Sequence, residues 1–208
     1  MRKLSNRDKI LAEGLNVVHA RGFGNASVRD IVHAAGVPQG SFTNHFPNKE
    51  AFGLEIIDLY LADQRRLITD TLRNDDLSPL VRLGGFIDAA KDRMVRHSVR
   101  NGCLFGNFIA EASDNSEAIR GKLVGILGEV SASLAYCLRA AVAKQELPEG
   151  FASEDVAAFI LSSLHGAILI AKGLRDPEPI DRFKRILFAD VLRGRDAAMP
   201  QGAAPGLN

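Results

Sequence analysis

The stretch Val28-Arg29-Asp30-Ile31-Val32-His33-Ala34-Ala35-Gly36-Val37-Pro38-Gln39-Gly40-Ser41-Phe42-Thr43-Asn44-His45-Phe46 reads as two short helices meeting at a tight corner. Helices that cross this closely need a small residue, a glycine free to turn and an apolar plug. Ala35, Gly36 and Val37 supply them in that order. The first helix begins at Ser27, a capping residue with Asp30 three positions on, and buries Val28, Ile31, Val32 and Ala35. His33 falls on its solvent side. Pro38 fits the first turn of the next helix, where a missing N–H costs little. That second helix is apolar on one side (Phe42, Phe46). On the other it is small and polar: Gln39, Gly40, Ser41, Thr43, Asn44 and His45. Small polar groups suit a helix entering a major groove, because long or apolar side chains would hold it away from the bases. The reading is a helix-turn-helix that binds double-stranded DNA.

The rest of the 208 residues is read as helix as well. Upstream, Ile10, Leu11, Leu15 and Val18 recur at helical spacing behind Ser5 and Asp8, and Gly22 sits where a left-handed glycine would end the helix. Downstream, Asn48 caps a long helix from Lys49 to about Arg73 that carries Phe52, Ile56, Leu59 and Tyr60. Further helices are expected over 80–99, 104–113, 116–145, 153–174 and 178–193, separated by Asn101-Gly102, Asp114-Asn115, Pro148-Glu149-Gly150 and Asp176-Pro177. Gly84-Gly85 weakens the first of these. No stretch alternates in the manner of a strand. The fold expected is all-α. A DNA-binding head spans 1–50, a helical effector-binding and dimerisation bundle spans 51–193, and 194–208, rich in Gly, Ala and Pro, is expected to be a disordered tail.

Charge and cysteine usage agree with a head and a body of different character. Residues 1–50 hold seven Lys or Arg against four Asp or Glu, and the remainder nineteen against twenty-one. The two cysteines, Cys103 and Cys137, make no disulfide framework and no zinc pattern. No signal-peptide core follows Met1, and charge interrupts each apolar run before the roughly 20 residues of a membrane span. A cytoplasmic protein with no membrane partner, no metal and no cofactor is the expectation. Esterase, zincin and dinucleotide motifs are missing, so catalysis is not expected. Glu111 and Asp114, three apart, read more readily as a solvated or capping pair than as an acid–base site.

Several pieces together carry a resemblance: Arg21-Gly22-Phe23, Ser27-Val28-Arg29-Asp30-Ile31, Ala34-Ala35-Gly36-Val37, Gly40-Ser41-Phe42 and His45-Phe46-Pro47-Asn48-Lys49-Glu50-Ala51. Over about residues 5–60 the chain resembles the TetR family of transcriptional repressors. The resemblance implies a DNA interface of Ser27, Arg29, Gln39, Gly40, Ser41, Thr43, Asn44, His45 and Lys49, the last on a phosphate. It also implies a homodimer on a palindromic operator and an inducer cavity in the body. The chain departs from the family at Thr43, commonly Tyr, and at Gln39, often Lys.

Within the body, Asn101-Gly102-Cys103-Leu104-Phe105-Gly106-Asn107 is similar to the Gly-Cys-Leu segment of a subgroup that includes NemR-type electrophile sensors. A thiol at a helix start lies near the positive end of the dipole, which favours thiolate. By the resemblance, Lys172 partners the sulfur, and the inducer is a small molecule or a reactive electrophile. The alternative keeps Cys103 as packing, with a non-covalent ligand or no effector at all. Cys137 reads as core. The helix over 153–174 carries Val156, Phe159, Ile160, Ser163, Leu164, Ala167 and Ile168, a pattern that fits either a subunit contact or internal core.

Overall fold

The computed structural model describes residues 4–193, so the tail expected over 194–208 lies outside the described residues. The chain runs through α1 (Asn6–Arg21), α2 (Val28–Ala34), α3 (Gly40–His45), α4 (Lys49–Asp70), α5 (Pro79–Arg96), α6 (Leu104–Ala112), α7 (Glu117–Ala143), α8 (Ser153–Leu174) and α9 (Glu178–Ile186). A wider turn over Leu187–Val191 closes it. No strand occurs among the described residues, as the missing alternation required.

The helix starts follow their caps. Ser5 with Asp8, and Ser27 with Asp30, each form a reciprocal capping box, and Asn48 accepts the Ala51 N–H at 2.7 Å. Three details differ from the sequence reading. Pro38 lies before α3, because the entry turn is tight: the Ser41 N–H reaches the Pro38 carbonyl (2.9 Å) and the Phe42 N–H the Gln39 carbonyl (3.3 Å). Gly22 has a positive φ of 86°, but its ψ of 154° is extended, not left-handed helical. The final helix does not continue regularly to 193. Leu187 and Leu192 are both buried, and residues five apart share a face only in a π-helical turn, which the Leu192 N–H closes on the Leu187 carbonyl at 2.9 Å. Gly84-Gly85, by contrast, does not interrupt α5.

Two apolar cores result. The first joins α1–α3 and the front of α4 to α6 and the front of α7. The second joins the end of α4 to α5, the back of α7, α8 and α9. In the first, Phe42 and Phe46 of α3 meet Phe52 of α4 in a three-ring cluster with centroids 5.2–5.3 Å apart. Each buried phenyl contributes about 1.5–3 kcal/mol. Leu59, expected on the same face of α4 as Phe52, is instead exposed. Cys137 is core, donating to the Pro79 carbonyl at 3.1 Å.

The apolar pattern of α8 divides into two faces. Ile160, Leu164 and Ile168 face the chain's own core, whereas Phe159, Leu169, Ile170 and Leu174 are exposed. Phe159, Ser162, Gly166, Leu169 and Gly173 form an outer stripe at three- and four-residue spacing.

Where α1 crosses α4, Gly14 has no room for a side chain: an added Cβ would stand 2.5 Å from the Phe52 ring and 3.2 Å from Ile31. Helix propensity alone favours alanine over glycine by about 1 kcal/mol. Overpacking opposes it by about 1–3 kcal/mol. Gly14→Ala is therefore expected to lower the urea midpoint, whereas Gly121→Ala, with nothing within 4 Å, raises it. A more stable Gly14→Ala protein would contradict this packing.

Candidate functional site

On the head, the capping box, the buried Ala35 and the turn at Gly36 (φ +63°) set α3 across α2. With Phe42 and Phe46 anchored behind, Gln39, Gly40, Thr43, Asn44 and His45 lie exposed along one edge. Thr43 steadies the edge by donating to the Gly40 carbonyl at 3.1 Å. Ser41 departs from the expectation. It is buried on the inner side of α3, since it follows the tight entry turn and precedes Phe42, so its hydroxyl does not join the exposed edge. Ser27 and Arg29 are exposed, the Ser27 hydroxyl donating to the Asp30 carboxylate at 2.6 Å within the cap. Lys49 is half-buried. Its ammonium donates to the Gly24 carbonyl at 3.1 Å and stands 4.8 Å above the Phe23 ring, and burial holds its pKa below the usual lysine range against the pull of Glu111.

In the body, Cys103 occupies the N-cap position of α6. Its sulfur lies 3.5 Å from His165 Nε2, and His165 Nδ1 lies 2.8 Å from the Leu161 carbonyl. A carbonyl only accepts, so Nδ1 carries a proton and Nε2 is the nitrogen that exchanges one with sulfur. Burial pushes the thiol pKa up. The hydrogen bond and charge of His165 outweigh that, with the N–H groups of Gly106 and Phe105 adding to them, and the net shift is downward. The sulfur in turn raises His165 to about 9 against the effect of burial. Both shifts favour a thiolate facing an imidazolium.

Lys172 is not the sulfur's hydrogen-bond partner, contrary to the expectation. Its ammonium reaches Asn107 Oδ1 at 3.4 Å, and its stem runs beside Gly102. The start of α6 meets α8 at both His165 and Lys172, but of the two only His165 bonds the sulfur. The signal available in the sequence is the single imidazole of α8, in the stretch between its acidic first turn and Lys172.

The pair separates two spaces. Inside is a cavity of about 60 Å³ whose polar lining includes Tyr60, Gln64, Arg93, Cys103 and His165. Arg93 donates to Tyr60 Oη at 2.8 Å and to Gln64 Oε1 at 3.1 Å, while burial pushes the Tyr60 phenol up to about 12 and keeps it neutral. Outside, between α6 and α8, is a cleft of about 260 Å³ bordered by Gly106, Asn107 and Lys172.

Helix α6 also touches the head at both ends. At its start, His19 Nε2 of α1 lies 2.9 Å from the Gly102 carbonyl. Near its end, the Glu111 carboxylate accepts the Gly24 N–H at 2.9 Å, and an added Cβ on Gly22 would stand 2.5 Å from it. Glu111 is thus spent on the head rather than paired with Asp114. Among the described residues no group of three or more His, Cys, Asp or Glu is placed to hold a metal ion.

Known proteins carry the same two parts. Residues 10–56 match the family model for bacterial regulatory proteins of the tetR family, and residues 79–187 match the tetracyclin repressor-like C-terminal domain. The chain is 33% identical to the HTH-type transcriptional repressor DhaR of Mycobacterium sp. (strain GP1), over 89% of this chain and 92% of that protein. The crystal structure of regulatory protein TetR from Rhodobacter sphaeroides superposes with a TM-score of 0.82 at 33% identity, covering 86% of this chain and 95% of that one. The reduced form of Escherichia coli NemR superposes at 0.77 with 26% identity, over 88% and 95%. With its helix-turn-helix head and helical body so matched, the chain belongs to the TetR family of DNA-binding transcriptional repressors.

Proposed function

We propose that the chain acts as a homodimeric repressor on a palindromic operator and leaves it when a small molecule or a reactive electrophile reaches the Cys103–His165 pair. The exposed polar edge of α3, backed by buried phenylalanine, carries the first half of this reading. Gln39, Gly40, Thr43, Asn44 and His45 read base edges, and Ser27 and Arg29 face the backbone beside them. Lys49 joins a phosphate by sharing or leaving the Gly24 carbonyl. Ser41 keeps a packing role. Residues 1–50 act as the DNA-binding unit and 51–193 as the effector and dimerisation unit.

Dimerisation uses the outer stripe of α8. Exposed Phe159, Leu169 and Leu174, interleaved with Ser162, Gly166 and Gly173, form a face that a second helix can approach closely. Two heads must reach half-sites about 34–36 Å apart, which a single head cannot do. By length and composition α7 and α8 could each cross a membrane. The stripe on α8 instead suits a protein partner, and binding to DNA places the protein in the bacterial cytoplasm.

Two signals fit the body. The thiolate–imidazolium pair favours an electrophile, since the thiolate is the nucleophile and the imidazolium keeps it charged near neutral pH. The cavity with Arg93, Gln64 and Tyr60 favours a small non-covalent ligand, in which case Cys103 serves only as part of the wall.

Replacing Thr43 and His45 together by alanine is expected to weaken binding to a palindromic duplex by at least about tenfold, each base contact being worth about 1–3 kcal/mol. Fluorescence anisotropy across a salt series checks this, and equal affinity would remove α3 from its role. Electrophile treatment should release the wild type from DNA and leave Cys103→Ser bound. Equal release would assign the signal to the non-covalent reading.

The pH dependence has a definite sign. His165 lowers the thiol pKa, so His165→Phe raises it, moves the midpoint of the alkylation profile to higher pH and slows alkylation at pH 7 by about tenfold. In the wild type the imidazolium persists until pH approaches about 9. Lys172→Met should change the rate by less than about twofold, as expected of a cation not bonded to the sulfur. A large effect of Lys172 with none of His165 would reverse the assignment.

A further inference from the structure

The connection between α5 and α6 holds an unfavourable shape. Ser98 and Val99 both have left-handed backbone (φ 52° and 56°), followed by Gly102 at 71°. This region is costly for an ordinary residue, and most of all for a β-branched one such as valine. Backbone bonds close the turn itself, the Val99 N–H on the Met94 carbonyl at 2.8 Å and the Ser98 N–H on the Val95 carbonyl at 2.9 Å, and contacts from outside add to them. Arg175 donates to the carbonyls of Val99 (3.3 Å) and Arg100 (3.5 Å). Asn107 donates to the Asn101 carbonyl at 3.0 Å, and the stem of Lys172 runs beside Gly102. The fourth grip is the bond between His19 Nε2 and the Gly102 carbonyl. Of these four residues, His19 alone comes from the head.

His19 is poorly suited to being let go. It is 7% exposed, and burial holds its imidazole below the ordinary histidine range, with the neighbouring Arg93 and Lys172 cations acting in the same direction against the carbonyl bond. The ring is therefore neutral, with its proton on Nε2 toward the carbonyl. The Tyr60 ring stands against it at 5.6 Å and that of His97 at 5.9 Å. A buried N–H deprived of its acceptor costs more than the bond itself was worth, so α1 must move to find another.

The Gly102 carbonyl also shares a rigid peptide plane with the Cys103 N–H. Any displacement of the Cys103 backbone re-aims that oxygen. Cys103 and Gly102 border both the inner cavity of about 60 Å³ and the outer cleft of about 260 Å³, so a group attached to the sulfur lies against the Gly102-Cys103 backbone whichever of them it enters.

We propose that His19 couples the sensor to the DNA-binding head. Its hydrogen bond to the Gly102 carbonyl holds α1 in the placement that suits DNA, and displacement of Gly102-Cys103 by an adduct breaks it. The proposal rests on the reading of the Cys103–His165 pair as the sensing site. His19 is a positioning residue, touching neither DNA nor effector.

The test is a thermodynamic cycle on the full chain. Cys103 is alkylated with iodoacetamide, the thiolate displacing iodide to form one S–C bond. Mass spectrometry verifies a single adduct, since Cys137 is buried and pushed up to about 11. Affinity is measured for a duplex that the chain selects from a random pool. In the wild type the adduct should weaken binding by at least about fivefold, the lower end of ordinary coupling between sites. In His19→Phe the unmodified protein already binds weakly, and the adduct should change affinity by less than about twofold. His19→Gln, which keeps an N–H donor, should restore the difference. The same loss on alkylation in His19→Phe as in the wild type overturns the proposal. A wild-type adduct that binds unchanged overturns instead the sensing role of Cys103. Should His19→Phe fail to melt cooperatively, amide exchange in the wild type decides. Alkylation should speed exchange in residues 18–22 at the end of α1. Faster exchange confined to α6 would refute the coupling.

Discussion

A helix of six residues has no stability of its own, since isolated helices below about 12–15 residues are marginal in water. Everything α3 does depends on Phe42 and Phe46 being buried against Phe52. Those contacts fix its rotation, and the rotation decides which side chains face outward. Phe52 belongs to α4, and about two and three turns further along the same helix Tyr60 and Gln64 line the inner cavity. One rigid element therefore positions the exposed polar edge of α3 and forms a wall of the inner cavity. A change at the cavity has a short mechanical route to α3, because no flexible linker separates the two.

Local chemistry made much of the head legible. The serine–aspartate boxes, the Ala35-Gly36-Val37 corner and the paired phenylalanines each act within a few residues, so sequence spacing is a sufficient guide. The features missed act across distance or depend on backbone detail. Ser41 was read as outward-facing from its polarity, yet the tight turn after Pro38 rotates it inward. The irregular end of α9 follows from the need to bury both Leu187 and Leu192, a requirement set by what surrounds them. The apolar residues of α8 serve two surfaces at once, so periodicity alone merged a core stripe with an exposed one.

The Cys103 site shows the same division. That Cys103 begins a helix could be read from Asn101-Gly102 before it. That His165 stands against it, 62 residues later, depends on where along α8 the start of α6 docks. Lys172 borders the same cleft as Cys103, but its ammonium reaches Asn107 and not the sulfur. His19 lies further still from the rest of the site, 83 residues from Gly102, inside a helix whose pattern announces only a hydrophobic face. A histidine on such a face gives no hint of its acceptor until both helices are in place.

The position of Cys103 explains why a reaction at one atom can have consequences beyond its volume. As a thiolate the sulfur would place negative charge at the positive end of α6, facing the N–H groups of Phe105 and Gly106. The same charge holds His165 protonated, and the adjoining peptide plane carries the acceptor of His19. Forming a thioether removes the charge from the helix terminus and the counterion from His165 while adding bulk beside Gly102. A non-covalent ligand in the cavity could add the bulk but would leave both charges in place. On the proposed reading the two kinds of signal differ in kind as well as strength, because only covalent modification removes a thiolate facing His165.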